Sequence, residues 1–180
     1  MSLERIWAGW RAAYIKSVSG TPPVDDAESC VLCRLAAVPD DESLVVHRGE
    51  HSFAVMNAYP YTSGHLMAAP LRHEARLDAL DSAEAPELME LIQQATTALT
   101  DAYSPDGLNV GANLGRSAGA GVPGHVHVHV LPRWSGDTNF VTAIAEARVL
   151  PEDLRTSWKK VRAAWPDTSS SSSPSSPSKK

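Results

Sequence analysis

Three histidines alternate with valines between His125 and Val130, and three of the chain's seven histidines therefore fall within five positions. Because successive side chains of a β-strand point to opposite faces, a strand here would place His125, His127 and His129 on one face, roughly 7 Å apart. The valines would pack in the core behind them, since β-branched residues favour strands. A solvated strand face would ordinarily mix Thr, Lys, Glu and Ser. The pattern therefore predicts a rigid row of imidazoles with a chemical role.

Two kinds of chemistry need several imidazoles on one strand. In a catalytic zinc site, two of these histidines and a third ligand would bind the metal. In nucleophilic catalysis, a neutral imidazole would attack phosphorus and form a covalent intermediate. That attack requires one ring nitrogen to be held as a donor while the other keeps its lone pair.

The segment before the row favours phosphorus chemistry. Residues 115–124 are rich in glycine, which lets backbone N–H groups approach phosphate oxygens closely. Ser117 adds a hydroxyl group and Asn113 adds an amide. A catalytic zinc ion on the row would also need a carboxylate behind its ligands, and the nearest in sequence is Asp137.

Cys30 and Cys33 form a Cys-x-x-Cys pair that has three interpretations from the residues alone. The pair is a redox dithiol, half of a metal site, or a coincidence of two reduced cysteines. A thioredoxin-like dithiol would need a βαβ pattern around it, and the sequence pattern there is not of that kind. His73 is the candidate partner for a metal site.

Composition excludes several classes of protein. The chain has 180 residues, enough for one domain with a full core, and a net charge of −5. The sequence has no basic patch interleaved with aromatic residues, so it lacks the charge pattern of a nucleic-acid-binding protein. No run reaches the ~18–20 apolar residues of a membrane span. With two cysteines and no apolar signal core near Met1, we expect a cytoplasmic protein.

The elements that position these residues follow from hydrophobic periodicity. We predict strands over 44–47, 52–56, 65–70 and 107–113 and in the histidine row, a long helix over 85–103 with Ser82 as its N-cap, and a last helix over about 152–165. This order indicates an α+β domain with an antiparallel sheet. We predict a helical arm over 1–29, the domain over 30–166, and a disordered Ser/Pro/Lys tail over 167–180.

The row His125-Val126-His127-Val128-His129-Val130-Leu131 resembles the signature of the histidine-triad (HIT) family, in which three histidines alternate with apolar residues. Met56-Asn57, the segment 64–70 and Asn113 also match the family. The stretch 131–140 resembles more narrowly the actinobacterial diadenosine tetraphosphate phosphorylase-like branch. The resemblance implies a HIT fold, with a five-stranded antiparallel sheet, one long helix, and N- and C-terminal helices.

The resemblance also implies roles for individual residues. His127 would be the nucleophile that attacks the α-phosphorus of a purine nucleotide, and His129 would contact the α-phosphate oxygens. His125 would support the row or bind metal, and His65 would orient the site. The remaining nucleotide contacts would be Asn57, Asn113, Ser117, Gly121 and Trp134.

For the cysteine pair, the resemblance implies a structural zinc ion held by Cys30, Cys33, His73 and His125. No organic cofactor is implied, and two subunits would pair into a homodimer with a ten-stranded sheet or form a higher oligomer. The implied activity is diadenosine tetraphosphate phosphorylase. The alternatives are a hydrolase of dinucleoside polyphosphates or nucleoside phosphoramidates, a non-catalytic nucleotide-binding module, and a three-histidine metal hydrolase.

Overall fold

The computed structural model describes residues 26–137 and 151–166, and in these ranges five strands form one sheet. The strands are β1 (Val45–Arg48), β2 (Ser52–Met56), β3 (Leu66–Pro70), β4 (Gly107–Gly111) and β5 (Val128–Arg133). The helices are α1 (Val31–Ala37), α2 (Asp40–Ser43), α3 (Glu84–Tyr103) and α4 (Leu154–Ala163). The expected α+β class and the antiparallel sheet are confirmed.

Most of the predicted N-terminal arm and the predicted tail lie outside the described residues, so the three-part division of the chain stays a prediction. None of the described helices is long and apolar enough to cross a membrane.

The strand order β1-β2-β3-β5-β4 brings distant parts of the chain to β5. All neighbouring strands are antiparallel. His129 pairs with Met67 of β3 on one side and with Gly111 of β4 on the other. The β3–α3–β4 connection therefore returns the chain to the histidines, and the loop after β4 starts beside His129.

The two faces of the sheet are covered differently. Helices α3 and α4 pack on one face, over a core that includes Val128 and Val130 of β5. Helix α1 packs on the other face through Leu32, against Phe53 and Val55 of β2. His129 alternates with the two buried valines along β5, so its side chain lies on the face opposite α3 and α4.

The histidine row is not one continuous strand, and this part of the prediction is wrong. Strand β5 begins at Val128, so His125 and His127 precede it. The Val126 N–H donates to the Glu74 carbonyl at 2.6 Å, in the segment after β3. This irregular backbone aims His125 and His127 at different partners, whereas a strand would have set them side by side.

Several element boundaries also differ from the predictions because local hydrogen bonds set them. The carboxylate of Asp81, not the hydroxyl of Ser82, accepts hydrogen bonds from the Ala83 and Glu84 N–H groups at the start of α3. Leu44 adopts a left-handed conformation (φ 57°) that ends α2, so β1 begins one residue later than expected. Helices α1 and α2 were not predicted, since they are too short for a clear apolar period.

Candidate active site

His127 is held in the form that a nucleophile requires. Its side chain is buried, with the residue 4% exposed, and its Nδ1 lies 2.8 Å from the carbonyl oxygen of His125. A carbonyl only accepts, so Nδ1 carries the proton and the Nε2 of the neutral ring keeps its lone pair. Burial lowers the pKa of His127, so the ring is neutral at neutral pH.

A chain of hydrogen bonds runs through the two neighbouring histidines. The Tyr61 N–H donates to Nδ1 of His65 at 3.1 Å, and His65 Nε2 lies 3.0 Å from Nδ1 of His129. Since His65 accepts at Nδ1, its proton lies on Nε2 and is donated to His129. His129 therefore accepts at Nδ1 and, when neutral, carries its own proton on Nε2. The pattern thus assigns a lone pair to Nε2 of His127 and an N–H group to Nε2 of His129.

The rings of His127, His129 and His65 form one contact cluster. The centroids of His127 and His129 lie 5.0 Å apart and those of His65 and His129 lie 5.1 Å apart, closer than the roughly 7 Å expected for one strand face. Burial, and then the neighbouring His127, lower the pKa of His129 to about 4. All three members of the cluster came from the sequence prediction.

Tyr61 is a contact of this cluster that the sequence analysis missed. Its ring lies 4.7 Å from the ring of His65 and 6.1 Å from that of His129, in addition to the backbone hydrogen bond. The side chain is 44% exposed, so it forms the boundary between the histidines and solvent. Its only sequence signal was an aromatic residue in the loop just before His65.

His125 belongs to a second cluster, with Cys30, Cys33 and His73. Its Nδ1 lies 3.4 Å from Sγ of Cys30 and 3.5 Å from Sγ of Cys33, and Cys33 Sγ lies 3.3 Å from Nδ1 of His73. The four candidate ligand atoms lie within 4.8 Å of one another. Among the described residues, this is the group that is placed to hold a metal ion.

The spacing of this cluster fits tetrahedral zinc. Zn–S bonds of about 2.3 Å and Zn–N bonds of about 2.05 Å separate neighbouring S and N ligand atoms by about 3.5 Å. The observed S···N distances of 3.3–3.5 Å match this value. The His125 Nε2–H donates to the Pro70 carbonyl at 2.9 Å, which leaves the lone pair of Nδ1 facing both sulfurs. Burial raises the pKa of the Cys33 thiol to about 11, so metal binding would displace its proton.

The other predicted nucleotide contacts come from three parts of the chain. The Oδ1 atom of Asn57 accepts from the Tyr59 N–H at 2.9 Å, and its Nδ2 lies 3.4 and 3.5 Å from the two ring nitrogens of His65. Asn113 and the exposed residues Ser117 and Gly121 lie on the β4–β5 loop, which leaves the sheet beside His129 and returns to it at Val128. The ring of Trp134 packs edge-on against Tyr103 at the end of α3.

The β4–β5 loop is shaped by glycine at two positions. Gly115 and Gly119 adopt positive φ angles of 79° and 90°, on either side of a short 3-10 helix (Arg116–Ala118). A non-glycine residue would be strained at both positions. The predicted contact Gly121 is different, because a Cβ atom there would meet nothing within 4 Å.

Comparison with known proteins identifies relatives of this chain. A family model described as HIT domain matches residues 39–136. An AP-4-A phosphorylase of Mycobacterium tuberculosis is 39% identical over 165 residues, which cover 91% of this chain and 85% of that protein. An asymmetrical bis(5'-nucleosyl)-tetraphosphatase of Schizosaccharomyces pombe is 34% identical over 95 residues, which cover 53% of this chain and 52% of that protein.

Among solved structures, a Zn-bound histidine triad family protein from Mycobacterium smegmatis superposes with a TM-score of 0.63 and 26% identity. The match covers 77% of this chain and 94% of that chain. The family-model match and the 39% identity over most of the chain show that the chain belongs to the HIT family.

Proposed function

We propose that this protein transfers a nucleotidyl group through a covalent intermediate on His127. The observation that carries the proposal is the 2.8 Å hydrogen bond from His127 Nδ1 to the His125 carbonyl, which leaves Nε2 as a buried, neutral nucleophile. Nε2 attacks the α-phosphorus of the nucleotide, a P–N bond forms, and the P–O bond to the leaving group breaks. An incoming oxygen nucleophile then forms a new P–O bond and the P–N bond breaks, which returns the lone pair to Nε2.

Neighbouring groups would stabilise the negative charge that develops on the phosphate oxygens during this transfer. The Nε2–H of His129 would donate to an oxygen of the α-phosphate, beside the attacking ring, and His65 would hold His129 in that tautomer. Backbone N–H groups of the β4–β5 loop, with Ser117 and Asn113, would bind phosphate oxygens. Asn57 would contact the ribose next to His65.

The substrate we favour is diadenosine tetraphosphate, with inorganic phosphate as the acceptor. The support is the 39% identity to the mycobacterial AP-4-A phosphorylase over 91% of the chain. Attack by His127 would release ATP and leave adenylyl-histidine, and phosphate would then resolve the intermediate to ADP. Water as the acceptor would give AMP, which is the hydrolase alternative favoured by the similarity to the tetraphosphatase.

One incubation separates these activities. Diadenosine tetraphosphate is supplied with and without inorganic phosphate, and the products are separated by chromatography. Phosphate-dependent ADP and ATP support the phosphorylase, and phosphate-independent AMP and ATP support the hydrolase. Mass spectrometry of the protein after acid-free quenching should show one added adenylyl group. Binding without consumption of this substrate or of adenosine phosphoramidate would support the binding module and overturn the proposal.

The three-histidine metal hydrolase is the alternative with the least support. It needs His125, His127 and His129 around one ion, whereas Nδ1 of His125 faces two cysteine sulfurs and its Nε2 donates to Pro70. We propose instead that Cys30, Cys33, His73 and His125 hold a structural zinc ion, which joins α1 to the segments after β3 and before β5. Metal analysis after zinc loading tests this, and a content far below one ion per chain would contradict it.

We also propose that two subunits pair through β4. This strand lies at the edge of the described sheet, next to β5 alone, and Val110 is 50% exposed there. A second copy would satisfy the open backbone groups and extend the sheet. Light scattering on the purified protein tests the dimer, and a Val110→Lys variant should shift it toward monomer.

A further inference from the structure

His125 links the metal-binding cluster to the nucleophile. Its side chain faces the cysteine sulfurs, while its carbonyl oxygen accepts the hydrogen bond that fixes the tautomer of His127. We propose that the Cys30, Cys33, His73 and His125 cluster positions the His127 nucleophile when it binds a thiophilic divalent cation such as zinc, and so sets the rate of nucleotidyl transfer. This inference rests on the proposed function. It adds a positioning role in catalysis to the structural role of the metal proposed above.

The His125 ring is restrained at both of its nitrogen atoms. Nε2–H donates to the Pro70 carbonyl at 2.9 Å, and Nδ1 lies within 3.5 Å of both sulfurs. The residue is 1% exposed, so the ring has no solvent-facing alternative without local opening. A metal ion on Nδ1 would turn these contacts into one fixed geometry.

The His125 side chain and the backbone just after it are both bonded to the segment that supplies His73. The Val126 N–H donates to the carbonyl of Glu74, and Pro70 lies at the end of β3. Residues 70–74 and 125–127 are therefore fastened together by two hydrogen bonds and by the ligand pair His73 and His125. Loss of the metal would remove the fastening that also reaches α1.

The orientation of the His125 carbonyl decides which nitrogen of His127 is the nucleophile. If the carbonyl turns away, Nδ1 loses its acceptor, and the neutral ring populates both tautomers. The tautomer with its proton on Nε2 has no lone pair at the attacking position. Nucleotide binding, which uses Asn57 and the β4–β5 loop, would be largely unaffected. The cluster should therefore influence kcat much more than KM.

The test compares His73→Ala, His73→Asp and His51→Ala with the wild-type chain, all loaded with zinc. His73 is the histidine of the cluster that lies outside the segment carrying His127. Aspartate at this position restores an oxygen ligand for zinc. His51, whose side chain is 38% exposed outside both clusters, is the matched control. Each protein is measured for zinc per chain, circular dichroism, AMP affinity, kcat and KM, and for the ¹⁵N resonances of His127.

We expect His73→Ala to lose zinc and to lower kcat about 10- to 100-fold, with KM and AMP affinity within about threefold of wild type. The His127 ¹⁵N resonances should move from a single tautomer toward the average of two. His73→Asp should recover zinc, kcat and the single tautomer together, and His51→Ala should match the wild type. If His73→Ala is unfolded, wild-type protein stripped with a chelator replaces it in every measurement.

Three results would overturn the inference. These are wild-type protein that binds no zinc, a zinc-free protein that keeps kcat and the His127 tautomer, and a kcat that fails to recover in a zinc-loaded His73→Asp variant. The NMR measurement needs no turnover, so it separates this inference from the proposed function. If no nucleotide is consumed but the His127 tautomer still follows zinc, the proposed reaction is wrong and the coupling stands.

Discussion

At the scale of single residues, the structure divides the histidines of the candidate site between two clusters. Alternation singled out His125, His127 and His129, and the family resemblance added His65 and the set of Cys30, Cys33 and His73 with His125. The sequence could not predict that His125 separates from His127, since this depends on the hydrogen bond from Val126 to Glu74, which lies 52 positions earlier in the chain. It also missed Tyr61, whose contacts with His65 and His129 carry no periodic signal.

Replacing the nucleophile should separate chemistry from binding. We expect His127→Asn to lower kcat by about a thousandfold or more, because the proposed P–N bond forms on the His127 ring. AMP affinity, measured by calorimetry, should stay within about threefold of wild type. His51→Asn is the matched control and should turn over normally. Normal turnover by His127→Asn would refute the assignment.

Removing the Tyr61 ring should move the titration of His129. Burial holds the pKa of His129 at about 4, below its ordinary 6.5, so the ring stays neutral and protonates only as the pH falls through that value. Tyr61→Leu exposes the His129 ring to solvent, so the pKa of His129 should rise. The acid limb of the kcat/KM profile should then move to higher pH. Tyr61→Phe keeps the ring and should leave both near wild type. NMR titration of His129 checks the shift, and an unchanged pKa in Tyr61→Leu would contradict it.

At the scale of elements, hydrophobic pattern located the interior of each strand and long helix, while hydrogen bonds decided their ends. Strand β2 was predicted over 52–56 and α3 over 85–103, close to their observed bounds. The cap of α3 was misplaced because Asp81, not Ser82, accepts from its first N–H groups. Helix α4 was predicted over about 152–165 and spans Leu154–Ala163. There the Trp158 indole N–H donates to the Val45 carbonyl at 2.8 Å.

The ion pair that joins α3 to the end of β3 should make stability depend on pH. Arg72 contacts Glu84 at 2.7 Å and, as the leading cause, lowers the pKa of that carboxyl group from 4.5 to about 2. A lowered folded-state pKa adds stability above pH 4.5 that is lost as the pH falls toward 2.

We therefore expect Glu84→Gln to lose about 1–2 kcal/mol at pH 7, since the half-exposed Arg72 is partly screened by solvent. The difference from wild type should shrink toward pH 2. Urea unfolding at several pH values checks this. Glu90→Gln, on an exposed part of α3, is the control, and an equal loss in both variants at every pH would contradict the assignment.

At the scale of the whole molecule, the two clusters lie back to back across one short segment. Cys30 and Cys33 come from the start of α1, His73 follows β3, and His125 precedes β5, so this cluster closes contacts across 95 residues of chain. The histidine cluster follows at the next positions, with His127 just before β5 and His129 within it, and His65 joins from the residue before β3. Their assembly depends on the strand order, in which β3 and β5 are neighbours although α3 and β4 lie between them in sequence.

Metal removal should therefore lower the stability of the whole folded chain. We expect a chelator to lower the melting temperature of zinc-loaded protein by about 5 °C or more, because a ligand that binds only the folded state stabilises it. Differential scanning calorimetry, with zinc measured in the same samples, checks this. The same chelator should have little effect on Cys33→Ser, and an unchanged melting temperature for the wild type would contradict the zinc assignment.

The acceptor that fixes the His127 tautomer is the main-chain carbonyl oxygen of residue 125, an atom that no codon specifies. Every amino acid placed at position 125 brings a peptide carbonyl with it, so mutation can redirect this acceptor but never delete it. A saturation screen at this position should consequently rank replacements by how well they hold the main chain in place, with side chains that can still bind the metal first. Substitution at position 125 therefore acts on the catalytic tautomer through the orientation of this carbonyl, and never through its removal.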